Sequence, residues 1–372
     1  MRTVRRLLYK DIVASVSFVA VAFLALFYFI DFVDQLDSVG KTYTTLQAAR
    51  DSLLELPGHF YELFPIAVLI GTIYAMTRMA ASSEFTILRT GGLGPGRALS
   101  LLGMLGVVFG VITFVIGDYI APLSERAAVQ MKANQHGGLS LGRSGAWLKD
   151  KTGAPGAERN YSVNVGRANP DGELLDIRIF EFNVNGQLAT RYSATSGRVG
   201  ADNGWTLKGV TITHWRSESE SAAGTVPAVT EERLPEYTWR GGLSANVVAA
   251  AVLPVSTMST VDLYRYTTHL ADNEQAAQRH EIQFWKKALY PSACLVMMAL
   301  ALPFAYLRSR SGGISLKVFG GIMLGIGFVL LNNLSGHLGL LRNWTPWVAA
   351  ATPSIVFLLL SLGAFAWLVR YR

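Results

Sequence analysis

Ala81–Arg97, ASSEFTILRTGGLGPGR, is a short polar segment set between two long apolar runs. Ser82 or Ser83 can cap a helix N-terminus. Glu84 falls in the first turn, where the helix dipole favours an anion, and Arg89 falls in the last, where it favours a cation. Gly91 and Gly92 then stop the helix. Phe85 and Leu88, three apart, share one face. So short an element is not stable alone in water, so the segment reads either as a solvated connection or as a small helix offering an apolar ridge to a partner.

The runs on either side decide the fold class. His59–Met79 precedes the segment and Ala98 to about Ala121 follows it, and each is close to the length that crosses a bilayer. Further out lie Ile12–Ile30, Ala288–Leu307, Ser315–Gly336 and Trp347–Val369, which makes six expected transmembrane helices. Pro65 and Pro303 fall where helix neighbours or ends can tolerate them. The first run follows Arg2, Arg5, Arg6 and Lys10 as a signal peptide would. Its apolar core is too long for one, however, and Asp31, Asp34 and Asp37 follow it instead of a small-residue cleavage site. With 51% hydrophobic and 16% charged residues in 372, the chain has the composition of a membrane protein.

The net charge of +7 raises the possibility of a nucleic-acid partner. The basic residues gather at the ends of the apolar runs, however, with no aromatic-interleaved stripe, so they describe membrane topology and no nucleic acid is expected. Arg2, Arg5, Arg6 and Lys10, then Arg78, Arg89 and Arg97, then Arg308, Arg310 and Lys317, then Arg370 and Arg372 lie on one side; the opposite short loops hold Lys41, Arg50 and Arg342. The positive-inside rule makes both termini cytoplasmic and puts the insertion between the third and fourth spans outside.

That insertion, from about Pro122 to Lys287, begins with a helical stretch to Gly138 and then alternates with period two. ERNYSVNVGRA, LLDIRIFEFNV, QLATRYSATSGRV and WTLKGVTITHW are separated by Asp171-Gly172, Asn185-Gly186 and Asp202-Asn203-Gly204, which are turn signals. They predict an antiparallel sandwich or rolled sheet. After Pro254, Ser259 and Asp262 form a capping box ahead of VDLYRYTTHL. The expected domains are residues 1–138 with three spans, 139–253 with the β module, and 254–372 with connecting helices and three more spans.

Catalytic chemistry finds little support. Gly40-Lys41-Thr42 has the tail of a phosphate loop, but Gln35 stands where the first glycine belongs and no strand precedes it. His280-Glu281 lacks the second histidine of a helical zinc site, the other histidines are scattered, and no serine is framed as G-x-S-x-G. A single cysteine, Cys294, excludes an internal disulfide and a thiolate cluster. No catalytic residue, metal site or cofactor is expected in the chain. Asp31 and Asp34 share a face at the outer end of span one, Glu62 begins span two, and Asn332, Asn333 and His337 lie near the outer end of span five. Ionisable groups there mark either an interface or a transport path.

FVDQL at Phe32–Leu36, SEFTILRTGGLGPGR, the helix opening IAP at Ile120, and the order three spans, β domain, three spans together resemble the LptF/LptG (YjgP/YjgQ) permease family, with FVDQL most like its LptG branch. The resemblance implies a half-transporter in the inner membrane of Gram-negative bacteria that extracts lipopolysaccharide. Its partners would be an LptF-like permease, two LptB-like ATPase subunits that use ATP and Mg, and an LptC- and LptA-like periplasmic bridge. The β domain would be a jelly roll. Ser83, Glu84, Phe85, Leu88 and Arg89, within residues 83–90, would form the coupling helix: Glu84 matches the acidic residue that enters the ATPase groove, and Phe85 and Leu88 would anchor it. Family members often carry lysines within and just after the motif that ends span one. This chain has Asp31, Asp37 and Ser38 there, which leaves Lys41, Arg126 and Lys132 as candidates for the lipid head group. The alternatives are the paralogous LptF subunit, a transporter that is not ATP-driven, or an envelope-assembly scaffold. A scaffold has no need of Glu84, and an ion-coupled carrier would place charge near mid-membrane.

Overall fold

The computed structural model describes residues 2–37, 39–40, 43–92, 94–136, 139–140, 145–152, 159–169, 172–200, 203–215, 229–252, 254–272, 277–306 and 313–370. The chain forms two compact units, one of Met1–Glu125 with Glu281–Arg372 and one of Arg126–His280.

In chain order the elements begin with α1 (Arg2–Leu36), α2 (Thr45–Ala81), α3 (Glu84–Thr90) and α4 (Pro95–Val115). A π-helical turn at Ile116–Ile120 leads into α5 (Ala121–His136). The strands follow: β1 (Leu139–Ser140), β2 (Ala146–Thr152), β3 (Arg159–Ala168), β4 (Leu174–Phe182), β5 (Leu188–Val199), β6 (Gly204–Trp215) and β7 (Val229–Arg240). Then come α6 (Ala245–Val252), α7 (Thr260–Asp272), α8 (Gln278–Leu289), α9 (Ser292–Tyr306), α10 (Ile314–Leu341) and α11 (Pro346–Arg370).

In the helical unit, α2 begins well before the expected second span. Thr44 and Gln47 make a reciprocal capping box, with the Thr44 N–H donating to Gln47 Oε1 at 2.7 Å, so the helix starts at Thr45 and runs through Pro57 and Pro65. It packs against α1, α9 and α10, while α9 packs against α2, α4 and α11. The core holds Val68, Leu69, Ile73 and Met76 of α2 with Cys294, Met297, Ala301 and Leu302 of α9. Cys294 is a buried packing residue beside the Thr113 hydroxyl, 3.3 Å away.

α1 and α2 cross closely at Gly71, where a Cβ would stand 2.6 Å from both Cα and N of Val16 on α1. Among the described residues, five helices are long and apolar enough to cross a membrane, and α8 with α9, bent by 54°, also qualify when counted as one span. Pro291 lies at that bend and cannot donate the hydrogen bond that would continue α8. Of the most apolar window of α2, 78% of residues are buried, against 17% for α1 and 22% for α10, so the last two keep most of their apolar surface for other neighbours.

In the other unit, all described pairings are antiparallel. They run β3-β4-β5-β6-β7 in chain order, with β1 and β2 sharing the other edge of β3. Buried residues alternate along β4 and β6, so one face carries Ile177, Ile179, Leu207, Val210 and Ile212. A flat sheet would hold β3 and β7 about 19 Å apart, four strand spacings. Instead the rings of Tyr161 on β3 and Trp239 on β7 lie 5.5 Å apart, and the Gly242 N–H beyond β7 donates to Asp150 Oδ2 on β2 at 2.6 Å. The sheet is therefore rolled, around the fully buried Trp205.

Candidate functional site

Two groups of residues lie near opposite ends of α2. At its C-terminal end the Ser82 hydroxyl turns back to the carbonyls of Arg78 and Met79, at 3.2 and 3.3 Å, and so closes α2 without capping the next helix. Ser83 adopts a left-handed backbone with φ 63°, which turns the chain into α3. The Ile87 N–H reaches the Ser83 carbonyl at 3.1 Å, and the chain leaves through Gly92, at φ +98°, before Pro95 starts α4. Phe85, 2% exposed, sets its ring edge-on to Tyr306 at 5.2 Å, and Leu88 packs on the same core. Phe85 therefore anchors α3 to its own bundle. Glu84 and Ile87 face outward, Ile87 being 68% exposed. The Arg89 side chain lies outside the described residues. At the same end Arg78 pairs with Asp11 of α1 at 3.2 Å.

About 33 Å of helix, at 1.5 Å per residue, separates Ala81 from His59. Here Asp51, Glu55 and His59 recur at every fourth position and so line one face of α2, opposite Asp31 and Gln35 of α1. His59 Nε2 lies 2.7 Å from Asp31 Oδ2, and the Phe27 ring lies 4.9 Å from the imidazole. Asp31, Glu55 and His59 each offer a ligand atom, all within 4.8 Å of one another. Asp51 is fully buried. One of its oxygens lies 2.9 Å from the Tyr43 hydroxyl, and the other accepts no hydrogen bond among the described residues. Burial, and then the Asp51 carboxylate, push the Tyr43 hydroxyl well up, so it keeps its proton.

Of the acidic residues at the outer end of span one, Asp31 turns inward to His59, while Asp34 and Asp37 are exposed. Lys41 lies outside the described residues, and so does the side chain of Lys132 on α5. In the sheet unit Arg126 donates to the Thr257 carbonyl at 2.9 Å and to Asp262 Oδ2 at 2.7 Å. Asp262 also caps α7 through Ser259, as its spacing implied. Burial works to raise the Asp262 pKa, but the bonds from Ser259 and Arg126 outweigh it and hold the carboxyl below the usual range. Three residues were missed from sequence: Ile87 on the outward face of α3, and Glu55 and His59. The fourfold spacing of Asp51, Glu55 and His59 was a visible signal; the partner Asp31 on another helix was not.

Two curated relatives share this organisation at the sequence level. The chain is 29% identical over 337 residues to the lipopolysaccharide export system permease protein LptG of Escherichia coli K12, covering 90% of this chain and 89% of the relative. It is 28% identical over 364 residues to the protein of the same description from Haemophilus influenzae, covering 97% of each. The family model described as lipopolysaccharide export system permease LptF/LptG matches residues 6–370. A match that runs through the apolar helices, the α3 turn and the rolled sheet alike shows that this chain belongs to the LptF/LptG family of lipopolysaccharide export permeases.

Proposed function

We propose that the chain is the LptG-like permease subunit of an ATP-driven transporter that extracts lipopolysaccharide from the inner membrane. It pairs with an LptF-like permease and is driven by two LptB-like ATPase subunits, which use ATP and Mg. It passes lipid toward an LptC- and LptA-like bridge. The chain makes six spans with α8 and α9 counted as one, both termini are cytoplasmic, and the sheet is a periplasmic jelly roll. The arrangement of α3 carries this reading. Phe85 and Leu88 fix it to the core at the end of α2, whose most apolar window is largely buried, so a push on Glu84 and Ile87 is delivered to α2 without being absorbed by a loose loop.

The open apolar faces of α1 and α10 support a role in closing against the partner permease around the lipid. Lys41 and Lys132 remain the candidates for the lipid phosphates, joined by Arg126 where its bond to Asp262 exchanges for a phosphate. Reconstitution into lipopolysaccharide-containing liposomes with the partner permease and ATPase tests the reading. Release of lipid to a soluble acceptor is expected to require both this chain and ATP. Release that proceeds equally without ATP would reject an ATP-driven permease.

A further inference from the structure

We propose that Asp31, Glu55 and His59 hold a divalent cation, whose open coordination positions take phosphate oxygens of the lipid head group. The first half stands on geometry. Two carboxylates and an imidazole from two packed helices bring their ligand atoms within 4.8 Å of one another, close enough to share one ion. The contact already formed, His59 Nε2 to Asp31 Oδ2 at 2.7 Å, needs only a small outward rotation of either side chain to admit a metal at bonding distance. Asp51 sits one turn before Glu55 on the same face of α2, fully buried, with an oxygen that accepts no hydrogen bond among the described residues, so a further carboxyl group stands beside the set. Carboxylate with imidazole suits Mn²⁺ and Zn²⁺, and phosphate oxygens complete the oxygen-rich shell that Mg²⁺ or Ca²⁺ prefers. Three protein ligands leave positions open, as in sites where a metal meets a substrate.

The second half rests on the permease reading. The site lies about 33 Å along α2 from Ala81, roughly the hydrocarbon thickness of a bilayer, and so reaches the opposite membrane interface, where lipid phosphates lie. Acidic residues at the end of α1 would repel a phosphorylated head group. A cation held by Asp31 reverses the sign of that contact without a lysine.

The test is Mn²⁺ binding to the purified full complex, followed by electron paramagnetic resonance. One saturable Mn²⁺ per chain is expected, showing nitrogen coupling from the His59 imidazole. Affinity should fall about tenfold or more in Asp31→Asn and in His59→Gln, and stay unchanged in Asp34→Asn. Absence of a saturable site in the unaltered complex, or of nitrogen coupling at it, would overturn the site; these readings do not depend on any variant folding. Addition of lipid A bearing both phosphates is expected to introduce phosphorus coupling that the dephosphorylated lipid does not. Bound Mn²⁺ without phosphorus coupling, in a complex that still exports lipid with ATP, would overturn the bridging role alone. Phosphorus coupling in a complex that exports nothing would reject the permease reading and leave the cation site standing.

Discussion

Glu84→Arg is expected to cut ATP-driven lipid release severely while leaving the chain folded and inserted. Glu84 is exposed at the first position of α3, where it contributes nothing to the core, so its replacement leaves the packing of Phe85 against Tyr306 intact. A charge reversal there acts at the surface proposed to meet the ATPase. It replaces an attraction to a basic groove with a repulsion, and it places a cation where the dipole of α3 disfavours one. Removing one partner of a charge pair that is buried on association costs about 2–5 kcal/mol, and 1.4 kcal/mol is already tenfold in affinity. Release in proteoliposomes should therefore fall by about tenfold or more, with less ATPase co-purifying. Glu84→Gln keeps the shape and removes only the charge, so it should fall between the two.

Gly71→Leu is expected to prevent accumulation of the folded helical unit. The position faces the backbone of Val16, and neither an N nor a Cα can step aside as a side-chain end would. Overpacking a core costs about 1–3 kcal/mol per insertion, and a whole leucine side chain pressed against backbone belongs at the top of that range or beyond. Against a total stability of about 5–15 kcal/mol, such a loss takes most of the margin of a protein at the lower end, so little folded protein is expected to survive extraction. Gly103→Leu on α4 is the matched control, since nothing lies within 4 Å of its added Cβ. Membrane-extracted protein should give a normal thermal unfolding curve for Gly103→Leu and little or no monodisperse protein for Gly71→Leu. Equal behaviour of the two would mean that α1 and α2 do not cross closely at this glycine.

What the sequence revealed follows from which signals are local. Apolar length marked the helices, and period-two alternation marked β3 to β6, because each signal is complete within its own element. β7 escaped notice because VTEERLPEYTWR is charged and contains Pro235. It is tolerated as an edge strand, where Pro235 falls opposite Gly209, at φ +62°. β2, AWLKDKT, buries Leu148 and Asp150 and leaves Trp147 exposed, so its apolar alternation is too short to mark a strand. The early start of α2 was hidden by Pro57 and by the acids Asp51 and Glu55, which read as loop until the Thr44–Gln47 box is seen to begin a helix.

At the candidate site, spacing put Phe85 and Leu88 on one face of α3 but could not say which way the face points. It points into the bundle, which transfers the exposed apolar position to Ile87. The Asp31–His59 and Arg126–Asp262 contacts join residues 28 and 136 positions apart, and no periodicity within one element predicts such pairs.

The most direct test of coupling through α3 is a crosslinking comparison between Ile87→Cys and Phe85→Cys. The only native thiol, Cys294, is fully buried, so each new cysteine reports alone. In membranes containing the complete transporter, Ile87→Cys is predicted to form an adduct with the ATPase subunit through a short thiol-to-amine reagent, and Phe85→Cys to form none. An Ile87→Cys thiol that a soluble maleimide labels readily, in a complex that still retains its ATPase yet gives no adduct, would show that the drive reaches the membrane helices by another contact.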